Sequence, residues 1–285
     1  MKKQNNNDKF IANFCKHKLA LIAFFVIVLE VSLVVLLPLI YEMDPIAIDS
    51  TAVSQAPSAQ HILGTDTVGR DLFARLTYGG RVSLWVGVAS VVISICIGLP
   101  LGLLAGYYRG ALEVIVMRAA DIFMSVPPMI LILVIVAITT PSISIVTIVI
   151  GVLGWPAIAR LLYANVLSVR NKDYIEAARA IGDRDINILV KYVLPNSISP
   201  LWMTLAFRIS QAIMTESALS FLGAGVQPPE ASWGNIMYAA QNLGVLKSQP
   251  WIWIYPGICL VLTIVCINLV GEGVRDALDP KMKRL

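Results

Sequence analysis

The stretch VSLWVGVASVVISICIGLPLGLLAGYY, residues 82–108, decides the fold of this chain, because it contains no Asp, Glu, Lys or Arg from end to end. About 20 mostly apolar residues are enough for a helix to cross the hydrocarbon core of a bilayer. The whole chain of 285 residues is 57% hydrophobic and 14% charged, whereas soluble domains carry roughly 45–50% apolar and about 25% charged residues. We therefore expect an all-α polytopic membrane protein, since a helix satisfies its own backbone polar groups in lipid.

Five further segments have the length and apolarity of a span, which gives six predicted transmembrane helices. These segments cover residues 19–41, 114–138, 143–166, 199–222 and 251–269. The segment 19–41 is similar to the core of a signal peptide, but it is long and no small-residue cleavage site follows it, so we expect it to be retained. The segment 114–138 contains Pro127 and Pro128, which should kink the span or end a half-helix there.

Lysine and arginine residues set the expected orientation, since they favour the cytoplasmic side of a membrane. They are concentrated in the N-terminal segment, the longest internal connection and the tail, which six spans place on one side. We therefore expect both termini in the cytoplasm. The predicted organisation is a cytoplasmic segment at 1–18, a first helix at 19–41, an extracellular segment at 42–81, a core of five helices at 82–272 with a cytoplasmic loop at 167–198 and an extracellular loop at 223–250, and a cytoplasmic tail at 273–285.

The composition also excludes several classes of function. The formal net charge of +4 is too small to indicate nucleic-acid binding, and no phosphate-binding G-x-x-x-x-G-K-[ST] sequence occurs. The four cysteines are scattered without a C-x-x-C pair, and His17 and His61 have no metal-ligand spacing. No Ser/His/Asp or metal set indicates catalysis, so we expect neither an enzyme nor a bound cofactor or metal.

The predicted cytoplasmic loop contains DYIEAARAIGDRDINILVKYVLP, residues 173–195. Asp173 can cap a helix here, with Glu176 completing a capping box, and Gly182 stands where a glycine ends a helix. A second short helix is predicted at 186–193, so two short helices should meet at a glycine bend. Apolar residues at helical spacing predict one stripe on the first helix. They are Tyr174, Ala177, Ala178 and Ile181.

Two interpretations of this loop follow from the residues alone. It can be an ordinary amphipathic helix at the membrane interface. It can also be a rigid lever that lies in a groove of an ATP-hydrolysing partner and passes the partner's motion to the spans. In the second case, Ala177 and Ala178 permit close backbone approach, and Glu176 can pair with a basic residue of the partner.

The loop resembles the EAA loop of binding-protein-dependent ABC importers. The matching residues are Glu176, Ala177, Ala178, Gly182, Leu194 and Pro195. Tyr192 departs from the general pattern, in which Ile is common at this position. In that family the loop forms a coupling helix that docks on the ATPase subunit.

Three more blocks resemble dipeptide, oligopeptide and nickel permeases, in the same order along the chain. They are LGTD with GRD at 63–71, ESALSFLG with QPP and SWGN at 216–235, and GEGVRDALDP at 271–280. The chain looks like the shorter, C-type permease, which pairs with a longer B-type permease. The resemblance implies a type I importer permease fold in a prokaryotic cell membrane. It also implies the partners: a second permease, one or two ATPase subunits that bind ATP and Mg, an extracellular substrate-binding protein, and lipid.

Ionisable residues inside the predicted spans are costly, so each is a functional candidate. The candidates for the translocation path are Glu30, Arg208 and Glu216. For Glu30 and Glu216, a hydrogen bond between helices is the stronger interpretation. Arg118 and Asp121 are spaced to pair on one helical face, and Arg160 can extend its charge toward the cytoplasm.

The expected function is therefore that of a permease subunit in an ATP-driven importer, with di- or oligopeptides as cargo. A nickel or metallophore importer of the same family is the alternative. A remote alternative is a proton-driven secondary transporter with Glu30 and Glu216 as proton carriers. That alternative predicts inverted repeats and broken spans in matching halves, which the sequence lacks.

Overall fold

The computed structural model describes residue 10 and residues 13–278. Within these residues the regular structure is helical, and extended residues meet only in two isolated bridges, Ile48 with Arg70 and Thr65 with Asp71. The predicted all-α fold is confirmed. The remaining parts of the predicted terminal segments, residues 1–9, 11–12 and 279–285, lie outside the described residues.

The helices of the described part follow one another along the chain, with the longest connection, residues 41–71, between the first two. The first five are α1 (Lys18–Ile40), α2 (Leu72–Tyr108), α3 (Gly110–Ser125), α4 (Pro128–Ala137) and α5 (Ile143–Arg170). Three short helices come next: α6 (Asp173–Ala180), α7 (Asp185–Ile188) and α8 (Leu194–Ser197). The last four are α9 (Ser199–Phe221), α10 (Trp233–Met237), α11 (Leu243–Ser248) and α12 (Trp251–Leu278).

Four of the described helices, α1, α2, α5 and α12, are long and apolar enough to cross a membrane. The pair α3 and α4 would together make a fifth span, bent by 82° at its break. The predicted kink at Pro127–Pro128 is confirmed, because proline removes backbone donors and clashes with the preceding helical turn. The segment 199–222 forms α9, a helix of 23 residues. It is not among the helices that are apolar enough to span, and it carries Arg208 and Glu216, so its role as a sixth span stays a prediction.

The connection between α1 and α2 is held by a buried carboxylate. Asp66 accepts hydrogen bonds from the backbone N–H groups of Val68 and Arg70, and from the Arg70 Nε at 2.7 Å. The buried Arg75 approaches the same carboxylate, with its Nε at 3.6 Å. Asp71 then accepts from the Ala74 N–H at 2.8 Å, so α2 begins ten residues earlier than the predicted span at 82–108.

The chain divides into two compact units, of which the first comprises Met1–Val88, Leu133–Thr147 and Ala206–Leu285. In the described part of this unit, α1 and α10 both pack on α12. The approach of α1 to α12 is close, since a Cβ added at Gly273 would lie 2.4 Å from the Ala20 Cβ. Small residues permit this contact, and close packing is what associates helices in lipid.

The second unit comprises Ala89–Ile132 and Ile148–Leu205. Here Gly98, Gly102 and Gly106 recur every four residues on the face of α2 that meets α5. A Cβ added at Gly102 would lie 2.4 Å from the Ala159 carbonyl oxygen, so only glycine allows this approach. The short helices α6 to α8 pack against the ends of α2 and α5 in the same unit.

Candidate functional site

The segment between α5 and α9 forms the two short helices that its sequence predicts. On one side, α6 buries Ile175 and Ala178 completely or nearly so. These two side chains join a hydrophobic cluster with the ends of α2 and α5. Its buried members are Leu103, Tyr107, Val166, Ile175, Ala178, Ile188, Leu189 and Val193. The loop is therefore packed onto the long helices as one body.

The opposite side of the loop is exposed and carries apolar side chains among charged ones. Its apolar residues, here called the exposed face, are Tyr174, Ala177, Ile181, Ile186 and Val190. Ile181 is 82% exposed, and Glu176 lies exposed beside Ala177. The four residues of the predicted stripe on α6 therefore do not share one environment. Ala178 faces the cluster, whereas the other three residues of the stripe are exposed, because Ile175 is the residue that packs beside Ala178.

Gly182 ends α6 as predicted. Its φ is +83°, a conformation that glycine adopts without steric cost. The Gly182 N–H donates to the Arg179 carbonyl at 3.0 Å and the Asp183 N–H to the Ala178 carbonyl at 3.1 Å. This pattern is a Schellman motif, which satisfies the last carbonyls of a helix.

The beginning of α6 differs from the prediction. The N-cap residue is Lys172, and no side chain makes a capping hydrogen bond. The predicted cap by Asp173 and its capping box with Glu176 are therefore wrong. Both carboxylates instead lie in the first turn, where negative charge is favoured by the partial positive charge of the helix N-terminus.

The second short helix extends further than the predicted range 186–193. A π-helical turn, Leu189–Val193, joins α7 to α8. The turn precedes Pro195, which has no N–H to continue the regular ladder. Leu194 and Tyr192 pack against the buried cluster, so the tyrosine that departs from the general family pattern still makes an apolar contact there.

A tyrosine at the end of α2 contacts both short helices, α6 and α7. The Tyr107 hydroxyl donates to the Asp185 Oδ1 at 2.6 Å, and the Arg179 guanidinium lies 5.4 Å from the centre of the tyrosine ring. The sequence does not predict this contact, because Tyr107 and Asp185 are 78 residues apart. A tyrosine at the end of an apolar span is also typical of the membrane interface, so no local signal distinguished it.

Glu216 lies in a cluster of serine hydroxyls and is 0% exposed. Its carboxyl accepts from Ser220 at 2.7 Å, from Ser83 at 2.9 Å and from Ser217 at 3.3 Å. Two of these hydroxyls accept in turn from backbone N–H groups beyond α9: Ser220 from Val226 and Ser83 from Trp233. Glu216 thus links α9, α2 and the segment that leads to α10, which favours the packing role over contact with cargo.

The other two candidates for the translocation path lie apart from this cluster. The Thr263 hydroxyl donates to the Glu30 Oε1 at 2.7 Å, which joins α12 to α1. Arg208 is half-buried, and within residues 13–278 its guanidinium makes no hydrogen bond or ion pair. No hydrogen bond or ion pair in the described part joins any two of Glu30, Arg208 and Glu216.

Charged side chains also meet between α3 and α5. The Arg160 Nη2 donates to the Asp121 Oδ1 in a short ion pair, a partner that the sequence does not predict for Arg160, and the expectation that Arg160 extends its charge toward the cytoplasm stays a prediction. The predicted pair of Arg118 with Asp121 is present but longer, with 3.7 Å between Nη1 and Oδ2. Among the described residues, no three His, Cys, Asp or Glu side chains lie together as metal ligands would.

Comparison with known proteins identifies the family. Residues 98–284 match the model of the binding-protein-dependent transport system inner membrane component. Residues 8–57 match the N-terminal transmembrane domain of oligopeptide transport permease C. The chain belongs to this permease family. It is thus a multi-pass membrane protein and a permease subunit of an ABC importer, and the match at 98–284 includes the whole loop between α5 and α9.

Individual relatives of this permease agree with the assignment. A protein of Brucella suis named as a peptide permease is 42% identical over 244 residues, which cover 86% of this chain and 81% of the relative. The glutathione transport system permease protein GsiD of Pectobacterium atrosepticum is 40% identical over 235 residues, 82% of this chain and 77% of the relative. A chain from an inward-facing structure of the MetNI methionine ABC transporter is 23% identical, with a TM-score of 0.59 over 73% of this chain and 98% of that chain. The permease fold is therefore the type I importer fold that was expected.

Proposed function

We propose that this permease imports short peptides, together with a second permease, one or two ATPase subunits and an extracellular binding protein. The names of its relatives support the cargo, since one is a peptide permease and another transports glutathione, which is itself a tripeptide. In this assignment the permease performs no catalysis and binds no cofactor. ATP and Mg are bound by the ATPase subunits.

The observation that carries the proposal is the two-sided character of the loop between α5 and α9. One side of the loop is packed into the cluster on α2 and α5, while the exposed face presents apolar side chains. An exposed apolar patch on an otherwise anchored element is typical of a surface that a partner covers. We assign the exposed face and Glu176 as the contact with an ATPase subunit, on the cytoplasmic side together with both termini.

The geometry also supports a mechanism for coupling. Closure of two ATPase subunits around ATP would move the loops of the two permeases toward each other and open the cavity outward, and hydrolysis would reset it inward. Force on α6 passes to the long helices through Ile175 and Ala178, because close-packed interiors transmit displacement rather than absorb it. Gly182 sets the angle between α6 and α7, and Leu194 and Pro195 carry the second helix into α9.

The test compares two single substitutions in the complete importer. Ile181→Asp places a charge on the exposed face without removing any buried contact, and Leu243→Asp makes the same change on α11, where the leucine is also exposed. An interface that buries Ile181 would lose about 1.5–3 kcal/mol, so recovery of the ATPase with tagged permease should fall about tenfold or more. Leu243→Asp should recover the ATPase normally.

The outcomes separate the proposal from its alternatives. Normal ATPase recovery and normal peptide uptake with Ile181→Asp would contradict the assigned contact. Uptake by the lone permease in proteoliposomes without ATP would instead favour a secondary transporter.

A further inference from the structure

Three charged side chains form an exposed group on α3 and α5. The side chains of Asp121 and Arg160 are each 48% exposed, and that of Arg118 is 78% exposed. Arg160 is held by Asp121, whereas the closest approach of Arg118 to that carboxylate is 3.7 Å. The group therefore carries a net charge of +1. The N–H groups of Arg118 make no close hydrogen bond to Asp121, in contrast to those of Arg160.

Arg160 lies on a helix long enough to place its backbone inside the membrane. α5 runs from Ile143 to Arg170, and at ~1.5 Å per residue Arg160 is about 15 Å from one end of the helix and about 25 Å from the other. The hydrocarbon core is about 30 Å thick, so the Arg160 backbone lies inside it. Because Arg160 is bound to Asp121, its guanidinium cannot extend to the headgroups. Charges inside the hydrocarbon core are costly in lipid, and they face the interior of a helix bundle or a water-filled cavity.

The break between α3 and α4 is a second, independent sign that this side of α3 does not face lipid. The span bends by 82° between Ser125 and Pro128, and Val126 at the break is exposed. Non-helical backbone at membrane depth is tolerated only where protein covers it or where it lines a water-filled cavity. The described residues of this chain do not cover Val126, which lies five residues beyond Asp121.

We infer that this face of α3 lines the translocation cavity and that Arg118 binds the C-terminal carboxylate of a peptide in transit. The inference rests on the proposed function and names a contact within it. A guanidinium presents a planar fork that pairs with both oxygens of a carboxylate. Asp121 is bound closely by Arg160 and only at 3.7 Å by Arg118, so the Arg118 guanidinium can turn to a ligand, and the net charge of the group matches one carboxylate. Val114, Ile115 and Ile122 are exposed beside Arg118 and offer apolar contact to peptide side chains.

The first experiment measures whether water reaches this face in the assembled importer. Arg118→Cys is introduced after the four native cysteines have been replaced, with Leu29→Cys as the control, since Leu29 is 59% exposed on the apolar α1. A charged, membrane-impermeant methanethiosulfonate should modify the thiol at 118 at least about tenfold faster than the thiol at 29, because such reagents need water. Transported peptide should slow the reaction at 118. Equal slow rates would show that lipid or the second permease covers the face, and would overturn the inference.

The second experiment tests the ligand. Uptake of a free-acid peptide and of its C-terminal amide is compared in proteoliposomes, at concentrations that saturate the binding protein for each. Native permease should favour the acid about tenfold, as expected for one charge-assisted pair. Arg118→Gln should bring the ratio near one by slowing the acid alone, and Arg118→Lys should restore part of it. An unchanged ratio in Arg118→Gln with uptake intact would refute this contact and leave the proposed function standing, whereas absence of ATP-driven peptide uptake in the native importer would refute the function itself.

Discussion

The hydrogen bond between Tyr107 and Asp185 offers the sharpest test of how this permease couples its loop to its spans. Tyr107 is buried near the end of α2, and its hydroxyl reaches the first residue of α7 at 2.6 Å. Arg179 of α6 lies over the same ring. One side chain therefore connects a predicted span to both helices of the loop.

Tyr107→Phe removes this hydrogen bond and keeps the ring, its packing and its contact with Arg179. Hydrogen bonds to charged groups contribute about 1.5–3 kcal/mol. Asp185 is exposed, so water can replace part of the loss, and the lower limit of about 1.5 kcal/mol applies. A free-energy change of that size lowers the population of the arrangement in which α2 and the loop are joined at this point about tenfold.

The assay is the number of ATP molecules hydrolysed per peptide imported by the complete importer in proteoliposomes. We expect Tyr107→Phe to reach normal abundance and hydrolyse ATP normally, while it consumes several times more ATP per peptide. Tyr108→Phe is the matched control, since Tyr108 is exposed at the next position and makes no hydrogen bond through its hydroxyl in the described part of the chain.

An unchanged ratio in Tyr107→Phe, at normal abundance, would refute the coupling role of this bond. An equal increase in Tyr107→Phe and Tyr108→Phe would refute it as well, because the effect would then belong to the helix end in general. Tyr107→Ala is unsuitable here, since emptying the cluster would cost about 3–5 kcal/mol of folding stability.

Three further predictions concern packing and helix ends. Gly182→Ala should cost about 1–2 kcal/mol through its left-handed φ alone, since a Cβ there meets no atom within 4 Å; Gly182→Asn should cost less, and thermal unfolding of the purified importer measures both. Gly102→Val should prevent stable packing of α2 on α5, because a Cβ there would lie 2.4 Å from the Ala159 carbonyl oxygen. Gly257→Ala is the control, since the nearest atom to its Cβ is 3.8 Å away, and it should be recovered from detergent like the native chain. Glu216→Ala should lower stability by roughly 3 kcal/mol through three lost hydrogen bonds to a buried carboxyl, while Glu216→Gln keeps most of them; equal loss of Tm in both variants would show that the charge matters rather than the packing.

The sequence predicted the larger features because each depends on local composition. Uninterrupted apolar runs gave the long helices, since lipid requires a helix to satisfy its own backbone. The double proline gave the break between α3 and α4. Gly182 gave the end of α6, since a positive φ at a helix C-terminus has one common solution.

Only the tertiary structure determines which side of each helix is buried. Ile175 and not Tyr174 anchors α6, because the direction of burial depends on where α2 and α5 lie, and periodicity alone cannot choose between neighbouring faces. Ser83, which binds Glu216, and the partners of Tyr107 and Arg160 likewise come from distant segments. Hydrogen bonds and ion pairs of this kind form wherever folding brings two chemically suitable groups together, and the sequence around either group does not specify the other.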